Sequence, residues 1–263
     1  MQLTGLRDKV ALVTGAAQGI GAGVARALAA EGALLLLADR SASQLAALAD
    51  ELRGGGAQVV DLAVDLADAA QVVAMVDRCV ESFRRIDALV NVAGIFRAAP
   101  ILELSLDDYD AVQAVNTRAV FVATQAAGRH MARAGAGAIV TIASNAALLP
   151  RVQQGAYCTS KAAVAHLTKC FALELAQYGI RCNSVLPGAA DTPMVQQLRA
   201  TMRPGDVDET VAGSIDKFRT GIPLGRLAPI EQIVNAVLYL LSDQAAHITM
   251  HDMVVDGGGS LGV

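Results

Sequence analysis

An α/β fold built on a parallel, doubly wound sheet is what this chain of 263 residues predicts, and three observations predict it. Short apolar runs alternate with longer helical stretches along the whole sequence, the pattern of strands joined by helical crossovers and covered on both faces. The first apolar run ends in a glycine-rich turn that opens a helix. Hydrophobic residues make up 54% of the chain and charged residues 17%, the composition of a globule with a sizeable core and no long disordered tail. Because strand–helix–strand crossovers are right-handed, the alternation leads to a doubly wound topology.

The pattern places strands at residues 10–14, 34–38, 58–64, 88–92, 138–143, 181–186 and 253–256. It places helices at residues 19–31, 43–53, 69–83, 107–133, 156–178 and 230–241. The chain shows no internal repeat and no interdomain linker, so residues 1–263 read as one domain. Gly54-Gly55-Gly56 is a loop between a helix and a strand. The stretch from Met202 to Thr210 is the least regular, and the surrounding residues 193–222 are the candidate for a substrate lid.

The first strand, Val10-Ala11-Leu12-Val13, runs into Thr14-Gly15-Ala16-Ala17-Gln18-Gly19-Ile20-Gly21 and then a helix. A strand, a glycine turn and a helix open a dinucleotide-binding unit of the Rossmann type. Glycine lets the backbone approach a pyrophosphate, and the helix N-terminus adds free N–H groups and a favourable dipole. The second strand, Leu34 to Ala38, ends in Asp39, about 20 residues beyond the glycines, where an acid hydrogen-bonds the adenosine ribose. A carboxylate there repels a 2′-phosphate and favours NAD over NADP; Arg40 beside it could accept that phosphate, but Gln18 brings no second positive charge. Asp65, after the third strand, is read either as a ligand of the adenine amino group or as a helix N-cap.

Tyr157 and Lys161 stand one helical turn apart on the same face. A phenol has an ordinary pKa near 10, and a neighbouring ammonium favours its phenolate. The pair is an acid/base device for moving a proton on or off a hydroxyl. Ser144 follows the fifth strand, at the sheet edge where ligands of such folds bind. Arg151 lies between Ser144 and Tyr157, in a loop that passes the same space, and its fork matches a carboxylate. Its bland reading is a surface arginine. Arg97 is a weaker candidate for the same role. Thr192, after Pro187-Gly188, is read as a contact of the nicotinamide carboxamide or as a helix cap.

Other classes are disfavoured. The formal net charge is −4 with no basic stripe, which argues against nucleic acid. No apolar run reaches the roughly 18 residues of a membrane span, and the N-terminus shows no secretion signal, so a cytoplasmic location is expected. Cys79, Cys158, Cys170 and Cys182 form no Cys-x2-Cys pair and do not cluster with the four histidines, so no metal site is expected.

The motifs Thr14-Gly15-x3-Gly19-Ile20-Gly21, Asn91-Val92-Ala93-Gly94, Asn116, Ser144, Tyr157-x3-Lys161 and Pro187-Gly188 resemble those of the short-chain dehydrogenase/reductase family along nearly the whole chain. The resemblance implies catalytic roles for Asn116, Ser144, Tyr157 and Lys161, with Asn116 holding a water on the lysine side. It implies a nicotinamide dinucleotide held by Gly15, Gln18, Gly19, Ile20, Gly21, Asp39, Asp65, Asn91, Ala93, Gly94, Tyr157, Lys161, Pro187, Gly188 and Thr192. Val92 departs from the family pattern, which has asparagine there. Segments including Arg85 to Asn91, Gly94 to Arg97, Pro150-Arg151, Gly221 to Gly225 and Ser242 to Thr249 resemble the branch acting on diol acids of the 2,3-dihydro-2,3-dihydroxybenzoate type, which serves siderophore synthesis. This implies a carboxylated dihydroaromatic substrate held by Arg151, Arg97 and Ser144, and a homotetramer. Rival readings are oxidation of a dihydro-hydroxyanthranilate, reduction of a 3-oxoacyl thioester and a cofactor-sensing regulator on the same fold.

Overall fold

The computed structural model describes residues 3–193, 195–196 and 208–262. Strand β1 (Val10–Thr14) is buried along its length, and its alternating side chains serve two cores. Ala11 and Val13 pack into one cluster, Val10 and Leu12 into the other. The all-leucine run of β2 (Leu34–Asp39) divides likewise, with Leu35 and Leu37 on one side and Leu36 on the other. That two-sided burial is why these runs are continuously apolar. The remaining strands are β3 (Val59–Ala63), β4 (Ala88–Asn91), β5 (Gly137–Ile142), β6 (Ile180–Pro187) and, last in the chain, β9 (Asp252–Val255). They form one seven-stranded sheet in the order β3-β2-β1-β4-β5-β6-β9, with every pairing parallel.

Helices cover both faces. Residues of α1 (Gly19–Ala30), α2 (Ala42–Gly54) and α7 (Ile230–Leu241) belong to the first core. Those of α3 (Ala69–Phe83) and α5 (Ala119–Ala134) belong to the second, together with Ala172 of α6 (Gly155–Leu175). The Asp68 carboxylate caps α3 by accepting from the N–H groups of Ala70 and Gln71. The order of strands reverses between β1 and β4, whose ends are level: Thr14 pairs with Asn91. A doubly wound sheet opens a crevice for ligands at such a reversal.

Two features differ from the sequence pattern. The helix expected at 107–133 is α4 (Leu106–Gln113), a π-helical turn (Ala114–Arg118) and then α5. Such turns interrupt helices where a side chain needs a special placement, and buried Asn116 lies inside this one. The second is a small antiparallel ribbon, β7 (Gly213–Ser214) with β8 (Arg219–Thr220), outside the main sheet. Among the described residues no helix is long and apolar enough to cross a membrane, and no group of three or more metal-ligating side chains occurs.

Candidate active site

The crevice beyond β1 and β4 is a cavity of about 290 Å3. Its floor is the turn after β1. Gly15 adopts a left-handed backbone (φ 66°), and a Cβ there would lie 2.7 Å from the Cα of Ala93. Gly21 sits where α1 crosses that turn, and a Cβ would lie 2.0 Å from the Gly15 carbonyl oxygen. Thr14 ties the turn to the neighbouring strand, because its hydroxyl accepts from the N–H groups of Val92 and Ala93. Gln18 stands at the N-cap of α1 without a side-chain hydrogen bond, and the first turn contains no acidic residue. Its unpaired N–H groups and dipole fit a diphosphate.

Asp39 closes the far end. One carboxylate oxygen accepts from the Ala17 N–H at 3.1 Å and the other from Ser41 N–H at 2.9 Å, so the group is fixed in place at the cavity wall. Asp65 also lines the cavity and accepts from the Ala67 N–H, while the capping of α3 falls to Asp68. Gln18, Gly19, Ile20, Ala93, Gly94, Pro187, Gly188 and Thr192 line the same space, as does exposed Arg40. The Thr192 hydroxyl also accepts from the Val195 N–H at 3.4 Å.

At the other end lie Ser144, Tyr157 and Lys161. Ser144 Oγ accepts from the Ala146 N–H at 3.1 Å, which orients it at the start of a 3-10 turn. Lys161 is buried, donates to the Ile142 carbonyl at 2.8 Å and sits 5.7 Å from the centre of the Tyr157 ring. The ring of Phe96 meets Tyr157 edge to face at 5.2 Å. Burial pulls the Lys161 ammonium down to about 8. Burial also pushes the Tyr157 phenol up, opposed by its hydrogen bond with Ser144 and reinforced by Cys158. Sequence reasoning had Lys161 lowering Tyr157; in the protein by itself burial outweighs every favourable neighbour, and the opposing contact is Ser144.

A second, smaller cavity of about 130 Å3 adjoins the first and shares Ser144, Tyr157, Gly188 and Val195 with it. Arg151 lines this one, along with Asn145, Gln154, Arg219 and Asp256. Its volume is close to that of a cavity able to take one benzene ring, about 150 Å3.

Several expected residues stand elsewhere. Asn91 directs its amide to the hydroxyls of Thr124 at 3.2 Å and Thr141 at 3.5 Å, joining strands to α5 rather than lining the cavity. Gly21 packs behind the turn. Asn116 is 1% exposed, and its amide is bound to both polar atoms of the Ile95 backbone and to Ser160 Oγ. It braces the loop after β4 and does not line the cavity. Arg97 points to the surface and pairs with Asp108 at 3.3 Å. Met194 and residues 197–207, within the expected lid, lie outside the described residues.

Sequence reasoning missed Arg219, Asn145 and Asp256. Arg219 carried a usable signal, a basic residue inside the segment expected to cover the site. Asp256 follows the last strand and precedes three glycines; its carboxylate accepts from Asn145 Nδ2, Ser260 Oγ and the Gly258 N–H. Burial raises its pKa, and those hydrogen bonds win and hold it below the ordinary carboxylate range.

Comparison with known proteins agrees with this geometry. The family model described as short chain dehydrogenase matches residues 9–203. The 2,3-dihydro-2,3-dihydroxybenzoate dehydrogenase of Bacillus subtilis (strain 168) is 42% identical, with all of both chains covered. The D-threitol dehydrogenase of Mycolicibacterium smegmatis is also 42% identical, over 96% of this chain and 93% of that one. A crystal structure of a short-chain type dehydrogenase/reductase from Mycobacterium marinum superposes with a TM-score of 0.85 at 37% identity, covering 96% of each chain. A glycine turn at the strand reversal, a serine, tyrosine and lysine at its far end, and full-length likeness to these enzymes place the chain in the short-chain dehydrogenase family.

Proposed function

We propose that this protein uses NAD to oxidise a cyclohexadiene diol acid of the 2,3-dihydro-2,3-dihydroxybenzoate type to the aromatic dihydroxybenzoate. The reading rests on one observation above all: Ser144 and Tyr157 form the wall shared by the large cavity and the small one that holds Arg151. A substrate ring in the small cavity would present its hydroxyl to Tyr157 and its carbinol carbon to the large cavity. The Bacillus subtilis relative supports the substrate class. Asp39 supports NAD, because its fixed carboxylate faces the space of the adenosine ribose and would repel a 2′-phosphate.

Bound dinucleotide would supply the hydride acceptor. Tyr157, as phenolate, takes the proton of the substrate hydroxyl. Ser144 Oγ accepts from the Ala146 N–H, which leaves its O–H to donate, to the Tyr157 oxygen in the protein by itself and to the reacting oxygen once substrate is bound. Lys161, facing the Tyr157 ring, stabilises the phenolate when charged. Asn116 and Ser160 hold the strand-exit loop against α6, the helix that carries Lys161. The ring ketone then tautomerises to a catechol, and aromatisation draws the oxidation forward. The D-threitol relative favours a second reading, oxidation of an uncharged diol; the arginine in the small cavity favours the acid.

The reading extends to a homotetramer, supported by exposed apolar Phe121 on α5 and Leu173 on α6 and by the free edge of β9. It extends to a lid over residues 193–222, a cytoplasmic location and a place in siderophore synthesis. A panel of dihydroaromatic acids and neutral diols, assayed with NAD and NADP separately, tests it. We expect reduced cofactor to form from the diol acid with NAD preferred. Preference for NADP would remove the role given to Asp39; dinucleotide binding with no turnover of any substrate would favour a sensor.

A further inference from the structure

Arg181, Arg151 and Arg219 are all guanidiniums whose pKa is lowered by burial. Arg181 has hydrogen-bond partners to set against that burial. Its nitrogens donate to the carbonyls of Leu240, Ile248, Leu241 and Ser242 at 2.7 to 3.4 Å. Arg151 and Arg219 have no such partners: among the described residues neither guanidinium makes a hydrogen bond or an ion pair. Both line the same cavity of about 130 Å3. Taking a charge out of water without hydrogen bonds is costly. Two such charges in one small cavity also repel each other, and Arg151 is among the groups that lower the pKa of Arg219. Both side chains are partly buried, so each loses part of its hydration with no hydrogen bond in exchange, and an anionic ligand would offset that loss.

The acids nearby do not fill that role. Asp256 faces Arg151 from the end of β9, yet its carboxylate is already bound by Asn145, Ser260 and the Gly258 N–H. Glu209 and Asp208 act on Arg219 from a distance, and Glu209 is paired with Lys217 at 2.6 Å. The charged residues that line the cavity are two arginines and one aspartate, a lining that suits an anion. Arg219 is also anchored. It pairs through β8 with Ser214, and the next residue, Thr220, donates its hydroxyl to the Gly259 carbonyl at 2.8 Å.

We infer that Arg219 is the second guanidinium of a clamp on the substrate carboxylate, opposite Arg151, and that it makes this enzyme select acids over neutral diols. The inference rests on the proposed oxidation of a diol acid and deepens it. Arg219 touches the carboxylate and not the reacting hydroxyl, so it governs substrate binding and leaves the chemical step alone.

The test uses the full-length enzyme at saturating NAD with two substrates, 2,3-dihydro-2,3-dihydroxybenzoate and the cyclohexadiene diol lacking the carboxylate. Wild type should prefer the acid. Arg219→Gln should raise KM for the acid about 10- to 100-fold, the worth of hydrogen bonds to a charged group, while kinetics on the neutral diol and NAD affinity stay unchanged. Arg151→Gln should act in the same direction, and Arg219→Lys should recover part of the loss, since a point charge replaces a fork. An Arg219→Gln enzyme with unaltered KM for the acid, or one weakened equally on both substrates, overturns the inference. A wild-type enzyme that shows no preference for the acid overturns the underlying reading instead. Should Arg219→Gln not fold, Arg219→Lys decides: weaker binding of the acid alone supports the clamp, and unchanged binding refutes it.

Discussion

The two cavities that meet at Tyr157 are built in different ways. The dinucleotide side starts from a local unit, the glycine turn between β1 and α1 with Asp39 at the end of the next strand, and is completed by the ends of the other central strands at Asp65, Ala93, Gly94, Pro187 and Gly188. The substrate side is made of side chains from separate segments: Asn145 and Arg151 before α6, Arg219 on a ribbon, Asp256 after the last strand. The first suits a ligand common to a whole family. The second sits on connections that can change without disturbing the sheet, which is how one fold serves different substrates. Two relatives of equal identity, named for a dihydroxybenzoate and for threitol, illustrate the point.

The largest effect should come from the wall the cavities share. Tyr157→Phe removes the proton acceptor and keeps the ring that packs against Phe96. Turnover should fall by about 10²–10⁴-fold, the range for general acid–base help. Dinucleotide and product affinities, measured separately by titration, should hold, because each cavity keeps its other walls. Loss of both affinities together would mean that the wall is structural and that the two sides are one site.

This contrast also decides what the sequence discloses. Strand–turn–helix chemistry is local, so the glycine turn, Asp39 and the Tyr157–Lys161 pair are legible from spacing alone. The sheet is legible for the same reason: both-face burial writes itself as continuous apolar runs such as Leu34 to Leu37. Spacing fails where the partner is remote. Asn91 looks like a ligand of the cavity until Thr124 and Thr141 are seen to take its amide. Arg97 follows a cofactor motif yet finds Asp108 at the surface. The π turn around Asn116 is not legible from spacing, and the partner of Asn116 there is the loop at Ile95, 21 residues away. Arg219 reaches the site through the ribbon, whose short strands fall below any pattern of alternation.

A smaller effect separates the two sides from below. Gly21→Ala places a methyl against the Gly15 carbonyl oxygen, where a Cβ would come within 2.0 Å. Overpacking of this kind costs about 1–3 kcal/mol. The turn should shift and dinucleotide affinity fall, while the product 2,3-dihydroxybenzoate binds as before. Calorimetric titration with each ligand checks this. Equal weakening of both would show that the turn also shapes the substrate cavity, and the local-versus-assembled distinction would lose its force.

The smallest effect concerns the cation buried at the junction. Lys161 titrates at about 8 in the folded chain because burial disfavours its charge, against an ordinary 10.5. Below about 8 both folded and unfolded chains hold the proton, and the full penalty is present. Above that the folded chain releases its proton first, so the unfolded state binds more protons and stability rises with pH, by about 1 kcal/mol between pH 8 and 9. Cys79 and Cys182 act oppositely. Burial pushes each thiol from 9.0 up to about 12, so above pH 9 the unfolded chain loses these protons first and stability falls. Dinucleotide-free protein should therefore be most stable near pH 9 as far as these groups decide it. Lys161→Met isolates the lysine, since the thiols are common to both proteins. Denaturant midpoints should show the wild type gaining on the variant from pH 8 upward, with a constant difference below. A difference that does not change with pH would mean that Lys161 keeps an ordinary pKa, and that the wall between the cavities is wetter than its burial implies.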